Sequence, residues 1–250
     1  MSGTPHEQIL NWFLYFSAAS GLGWILESTF RSIQEHRLVN SGFLSGPFVP
    51  IYGFGALFVA LLARLLAHTH GVLFWAILAI SPTIVEYTAS YLLEKLFGLR
   101  LWDYQDQPFN LKGRVCLAFS LCWVVLTAFA VFYIEPFLLG KITAIGIHER
   151  YFLSGALSMY FAMDTVGSSR AIINFKAFVV DLKALAARGG AFFPSLEIDA
   201  GRLPREIKRL VKPLKAFPQL SGELKPMLHA IPDWITARLE SIIGGRHFHK

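Results

Sequence analysis

The sequence predicts an all-α, polytopic membrane protein with five transmembrane helices and a basic tail, and three observations carry that reading. The chain of 250 residues is 54% hydrophobic and only 16% charged, too apolar for an ordinary soluble domain. Five stretches reach the roughly 20 mostly apolar residues that a bilayer-spanning helix needs. Charge is unevenly divided: residues 1–169 hold nine Lys/Arg and ten Asp/Glu, residues 170–250 hold fourteen and seven, so the net +6 is −1 in the first region and +7 in the second. Two regions follow, a transmembrane body at 1–169 and a basic amphipathic tail at 170–250.

The spans fall at Ile9 to Phe30, Phe48 to Ala67, Gly71 to Leu93, Val115 to Leu138 and Ile145 to Val166. No basic residue precedes the first and no A-x-A-like site follows it, so it reads as a retained helix and not a signal peptide. The basic residues of the connections set the orientation. Arg31, Arg37, Lys95, Arg100, Lys112, Arg114 and the tail share one side, which the positive-inside rule places in the cytoplasm, with the N-terminus out. Cys116 and Cys122 point to different helix faces, so neither a disulfide nor a metal pair is expected.

Ionisable residues in hydrocarbon are costly and by default face protein or water. Glu86 lies about two turns inside the third span, and Glu86, Ser90 and Glu94 recur every four residues along one face. In the first span Ser17, Ser20, Trp24, Glu27 and Arg31 form a stripe whose last two members have ion-pair spacing. Cys116, Ser120, Trp123 and Thr127 do likewise in the fourth, and Asp164 lies near the basic end of the fifth. The charges concentrate toward the inner half, which suggests a polar pocket open to the cytoplasm. The alternative for Glu27, Arg31, Glu94 and Asp164, each within about a turn of a span end, is an interfacial anchor or interhelical salt bridge.

Backbone breakers gather on the same side. "NSGFLSGPFVPIYGFG", Asn40 to Gly55, places two prolines and four glycines where the second helix should begin. It reads either as a broken helix start or as a plain loop with Pro47 or Pro50 in the first helical turn. "SPT" at Ser81 to Thr83 puts a kink above Glu86, its hydroxyls available to the freed backbone groups. The third loop, Leu101 to Leu117, is rich for a connection. Trp102, Tyr104 and Phe109 suit an aromatic belt, Asn110 a cap for the fourth helix, and Asp103 with Arg114 a floor beneath Glu86 and Glu94.

"SGFLSGPFVPIYGFG", "WDYQDQPFNLKGRVCLAFSLCW" and a first span ending in "GWILES" together resemble the bacterial integral-membrane family of CmpB-type ABC-transporter permeases, over roughly residues 8–170. Matching positions include Glu27, Gly42, Gly46, Pro47, Pro50, Tyr52, Gly53, Glu86, Trp102, Asp103, Tyr104, Phe109, Asn110, Gly113 and Arg114. Ser41 stands where a basic residue is expected and Val124 where a glycine often follows the tryptophan. The resemblance implies a permease or transport-associated subunit in the bacterial inner membrane. The chain has no G-x-x-x-x-G-K-[ST], so ATP hydrolysis would need a separate ATPase subunit, and five spans suggest a homo-oligomer or other membrane subunits around a pathway.

Two other classes stay open. A non-catalytic scaffold or regulator would use the tail, where Ile172, Phe175, Val179, Leu182 and Ala186 follow heptad spacing. There "REIKRLVKPLKAF" and "PDWITARLESIIGG" read as amphipathic helices against anionic lipid. An intramembrane enzyme would use the inner carboxylates, but no H-E-x-x-H, G-x-S-x-G or His/Cys ligand set is present. No catalytic residue, metal ligand or cofactor is assigned, and no nucleic-acid motif explains the basic tail.

Overall fold

Prolines, caps and left-handed residues set where each helix begins and ends. The structure, a computed structural model, describes residues 4–187 apart from 37, 70, 99 and 101. Helix α1 (Pro5–Glu35) starts with Thr4 as its cap and a proline in its first turn, and stops at His36, whose φ is 50°. Helix α2 (Pro50–Leu65) also begins on a proline, whose missing N–H is harmless there. Helix α3 (Val72–Phe97) ends at Gly98 in the left-handed region. Strands β1 (Asn110–Leu111) and β2 (Val115–Cys116) pair as a small antiparallel hairpin, Asn110 against Cys116 and Leu111 against Val115. Helix α4 (Leu117–Phe129), a π turn (Ala130–Ile134) and α5 (Glu135–Ala144) follow, then α6 (Ile147–Ala187). Pro136 lies just beyond the π turn and has no N–H to donate to an upstream carbonyl, the usual setting for such an irregularity.

The described chain is mostly helical, as expected. Among the described residues three helices are long and apolar enough to cross a membrane: Pro5–Glu35, Val72–Phe97 and Leu117–Ala144. The expected second span is the 16-residue apolar α2, and the expected fifth, Ile145 to Val166, starts two residues before α6, which continues unbroken past Val166 to Ala187. The fourth helix begins at Leu117 and not Val115, because Val115 and Cys116 are taken by the hairpin. The tail helices expected at Arg205–Phe217 and Pro232–Gly245, and the side chains of Phe175, Val179, Leu182 and Ala186, lie outside the described residues.

Helix α1 is the spine, packing on α2, α5 and α6, while α2 packs on α3 and α3 on α4. At the end where α1 begins, Leu14, Tyr15, Ala60 and Ile142 form a buried core. There Arg64 pairs with Glu135 at 3.0 Å and Arg150 donates to Asn11 Oδ1 at 2.7 Å. Further along, Phe16, Phe48, Tyr160 and Phe161 interlock α1, the segment before α2, and α6. Large apolar side chains such as Leu121, Val125, Phe129, Phe132 and Phe137 point outward.

The stretch before α2 combines the two readings its sequence left open. Pro50 occupies the first helical turn, but the preceding irregular backbone runs back along α1. Val39 N donates to Ser32 Oγ at 3.0 Å, Ser41 N to Ser28 Oγ at 3.2 Å, and Val49 N to the Ser20 carbonyl at 3.0 Å. Trp24 Nε1 meets Asn40 Oδ1 on the same stripe. Ser20, Trp24, Ser28 and Ser32 recur every four residues, so one face of α1 satisfies about 18 Å of non-helical chain. In α3, Ser81 Oγ donates to the Leu78 carbonyl at 2.8 Å, the group that Pro82 leaves without its usual donor.

Close approach of α1 and α2 depends on glycine. A Cβ at Gly53 would strike Ser20 Oγ and stand 2.7 Å from the Phe16 carbonyl oxygen, whereas one at Gly55 would meet nothing within 4 Å. Gly53→Ala is expected to cost about 1–3 kcal/mol through overpacking, and Gly55→Ala to stabilise by up to about 1 kcal/mol through helix propensity. Thermal unfolding of the two variants in detergent checks the contrast, which equal melting shifts would refute.

Candidate functional site

The C-terminal halves of α1 and α3 and the N-terminal ends of α2 and α4 meet at one end of the bundle, and the polar stripes read from the sequence converge there. Glu86 is 5% exposed. Its Oε1 accepts from Tyr104 Oη at 3.2 Å and its Oε2 from Trp123 Nε1 at 2.8 Å. Glu27 Oε2 accepts from Tyr52 Oη at 2.8 Å, and Oε1 from Arg31 Nε at 2.9 Å. The Tyr52 and Trp123 rings lie 5.1 Å apart, and the Tyr104 ring stacks on Phe119 at 4.8 Å. Two rings, Trp123 and Tyr52, therefore connect the two carboxylates, and two more, Tyr104 and Phe119, extend from Glu86. Glu27 has a guanidinium beside it, but Glu86 is held by neutral donors and takes part in no ion pair among the described residues.

One turn beyond Ser90, itself buried, Glu94 receives two arginines. Arg100 Nε reaches its Oε1 at 3.1 Å and Arg114 Nη2 its Oε2 at 2.7 Å. Arg100 also pairs with Asp103 at 3.3 Å. The hydrogen bond to Glu94, joined by the charges of Glu94 and Asp103, holds the Arg100 guanidinium above its ordinary range. Arg114 additionally lies 5.4 Å from the ring centres of Tyr87 and Tyr91. Asp103 and Arg114, read from the sequence as a floor beneath Glu86 and Glu94, are thus joined to Glu94, Asp103 through Arg100, which the sequence reading did not place in the site.

Local turn chemistry explains why Leu101 to Leu117 is so particular. Lys112 and Gly113 have φ of 55° and 69°, and Arg114 N donates to the Leu111 carbonyl at 3.1 Å, the pattern of a hairpin turn with both central residues left-handed. A Cβ at Gly113 would strike Asp103 Oδ1. Tyr104 N donates to the Gly113 carbonyl at 2.8 Å and Trp102 Nε1 to the Arg114 carbonyl at 3.1 Å, which turns both aromatic residues inward. The aromatic belt expected of Trp102, Tyr104 and Phe109 is thereby corrected: of the three only Phe109, 83% exposed, points away. Burial, then the negative charges of Glu86 and Glu27, push the Tyr104 phenol well above its ordinary range, so it remains a donor. The cap expected of Asn110 is also corrected. Cys116 precedes α4 with no side-chain cap, and because the hairpin intervenes, Asn110 instead donates to the Gln105 and Gln107 carbonyls and accepts from Gly113 N.

Asp164 belongs to a separate cluster. Its Oδ1 and Oδ2 accept from Ser45 N at 2.9 Å and Gly46 N at 2.8 Å, and Ser168 Oγ donates to it at 3.1 Å. It fastens α6 to the irregular segment and contacts none of the Glu86 ligands. Ser45 and Ser168, 3.0 Å apart, were not foreseen, and neither were Tyr52 and Phe119. Tyr52 lay inside a motif read for its breakers and its family resemblance, not for its hydroxyl. Cys116 is buried and Cys122 exposed, both free, and among the described residues no three His, Cys, Asp or Glu gather as a metal group.

A helical membrane protein with a buried carboxylate network at one end of its bundle is the class that fold and site define. The chain belongs to the CmpB-type family described as "Putative ABC-transporter type IV", whose model matches residues 14–169. No curated protein and no solved structure matches it. The matched span takes in every residue of the Glu86, Glu94 and Asp164 clusters.

Asp164→Asn replaces a carboxylate that accepts two backbone N–H groups with a side chain that can accept only one of them. A loss of about 1–3 kcal/mol follows from the group left unpaired, read as a lower melting temperature and faster proteolysis within residues 40–49. A variant as resistant as the parent would count against the clasp.

Proposed function

We infer that the protein is a permease or transport-associated subunit of the bacterial inner membrane, crossing it five times with its C-terminus in the cytoplasm. On this reading the network around Glu86 is a polar pocket facing the cytoplasm, closed beneath the third loop. One observation supports it above the rest: Glu86 lies within an apolar helix, buried, with both oxygens engaged and no countercharge. A merely structural polar contact does not require an ionisable group in such a place, and buried carboxylates of this kind mark substrate and ion paths.

The family description supports transport driven by a separate ATPase. Such a subunit would dock on the side bearing the first and third loops and the tail, and a five-span chain would complete its pathway as a homo-oligomer or with other membrane subunits. The lipid bilayer is its other partner. A scaffold would retain the docking face without needing an unpaired carboxylate, so Glu86 separates the two readings.

Affinity purification of the full chain in mild detergent is expected to bring down an ATPase subunit, and a chain that purifies alone would remove the transport reading. In the purified assembly reconstituted in liposomes, Glu86→Gln is expected to cut ATPase turnover about tenfold, equivalent to 1.4 kcal/mol, without changing membrane level or subunit recovery. Full turnover in that variant would remove the pocket.

A further inference from the structure

We propose that the Glu86 site takes an organic cation of the alkylammonium class, and that Tyr104 occupies the cation's place in the closed arrangement. The inference deepens the pocket reading and rests on it. Glu27 is joined to Arg31 and Glu94 to Arg100 and Arg114, but the groups reaching Glu86 are the Tyr104 hydroxyl from the third loop and the Trp123 indole from α4. From α1 the charge nearest along the network is Glu27 itself, linked through Tyr52 of α2, whose ring lies 5.1 Å from Trp123. The site therefore offers one carboxylate with no ionic partner among the described residues, met at one oxygen by the N–H edge of Trp123 and at the other by Tyr104, whose ring covers the face of Phe119.

A carboxylate among aromatic faces is selective by charge. Anions are repelled, neutral solutes gain nothing from the charge, and small hydrated metal ions find too few oxygen ligands. An alkylammonium group satisfies both features, since its charge attracts the carboxylate and its polarised C–H surface rests on aromatic rings. Tyr104 already imitates such a ligand. It places a donor on Glu86 Oε1 at 3.2 Å and lays a flat apolar surface on Phe119 at 22° and 4.8 Å. Alone among the four rings it is carried by the loop and not by a helix, its N–H donating to the Gly113 carbonyl. Withdrawing it exposes one carboxylate oxygen and one aromatic face together, with no helix displaced.

The test titrates choline, and its uncharged carbon isostere dimethylbutanol, into the detergent-purified full chain while following tryptophan fluorescence and melting temperature. Choline is expected to bind and stabilise, and dimethylbutanol to do neither. Glu86→Gln should weaken choline by about tenfold or more. Tyr104→Ala should tighten it several-fold, because the competitor for the site is gone. Equal binding of the isostere, unchanged choline affinity in Glu86→Gln, or weaker binding in Tyr104→Ala would each overturn the proposal. Should Glu86→Gln fail to fold, the loop variant and the isostere still decide it. Binding is read without ATPase or flux. A chain that purifies without an ATPase but binds choline removes only the transport reading, and one that recruits an ATPase but ignores choline removes only this inference.

Discussion

Backbone hydrogen bonding away from water is the constraint on which this architecture depends. A helix satisfies its own N–H and C=O groups, but the segment between α1 and α2 is not helical, and each of its donors must find a partner on a neighbour. The face of α1 bearing Ser20, Trp24, Ser28 and Ser32 supplies that partner from one side, and Asp164 supplies it from the other. Once the segment is fixed, Pro50 can start α2 where Tyr52 reaches Glu27, and the carboxylate network can form. Serine in a helix contributes little to helix propensity. Here its value is that its hydroxyl lies at the right height for a strand of chain that has no ladder of its own.

The helices and the polar stripes were legible in the sequence because both follow the helical period. Glu27 with Arg31, Glu86 with Ser90 and Glu94, and Trp123 with Thr127 all stand where a spacing of four residues puts them, whereas Cys116, read on the same face, belongs to the hairpin. Ser81 beside Pro82 was equally readable, since the freed carbonyl and the hydroxyl that serves it are separated by a fixed number of residues. What spacing cannot give is the partner across a gap in the chain. Tyr52 and Glu27 are 25 residues apart and Asp164 and Gly46 are 118, so their meeting depends on how the helices pack. The loop at Leu101 to Leu117 misled for a related reason. Its aromatic residues have the composition of an interfacial belt, and only the left-handed pair Lys112 and Gly113 makes the hairpin that turns Trp102 and Tyr104 inward.

The three acidic clusters differ in what balances them. Glu94 sits between two guanidiniums and Asp164 between two peptide N–H groups, arrangements that hold pieces of the chain together. Glu86 has neither. Two neutral donors hold its position, and no guanidinium stands beside it among the described residues. The same segment that seals it, the third loop, is anchored by Arg100, Asp103 and Arg114 around Glu94. Disturbing that ion-pair network therefore loosens the cover over Glu86 without touching Glu86.

Helix α6 has a mechanical consequence of its length. Its 41 residues extend about 60 Å, twice the roughly 30 Å thickness of a hydrocarbon core. Asp164 grips the segment at Ser45 and Gly46 from a point 23 residues short of the last one, Ala187. The clasp thus ties the chain segment that leads into α2 and Tyr52 to a helix that runs about 35 Å beyond the point of attachment.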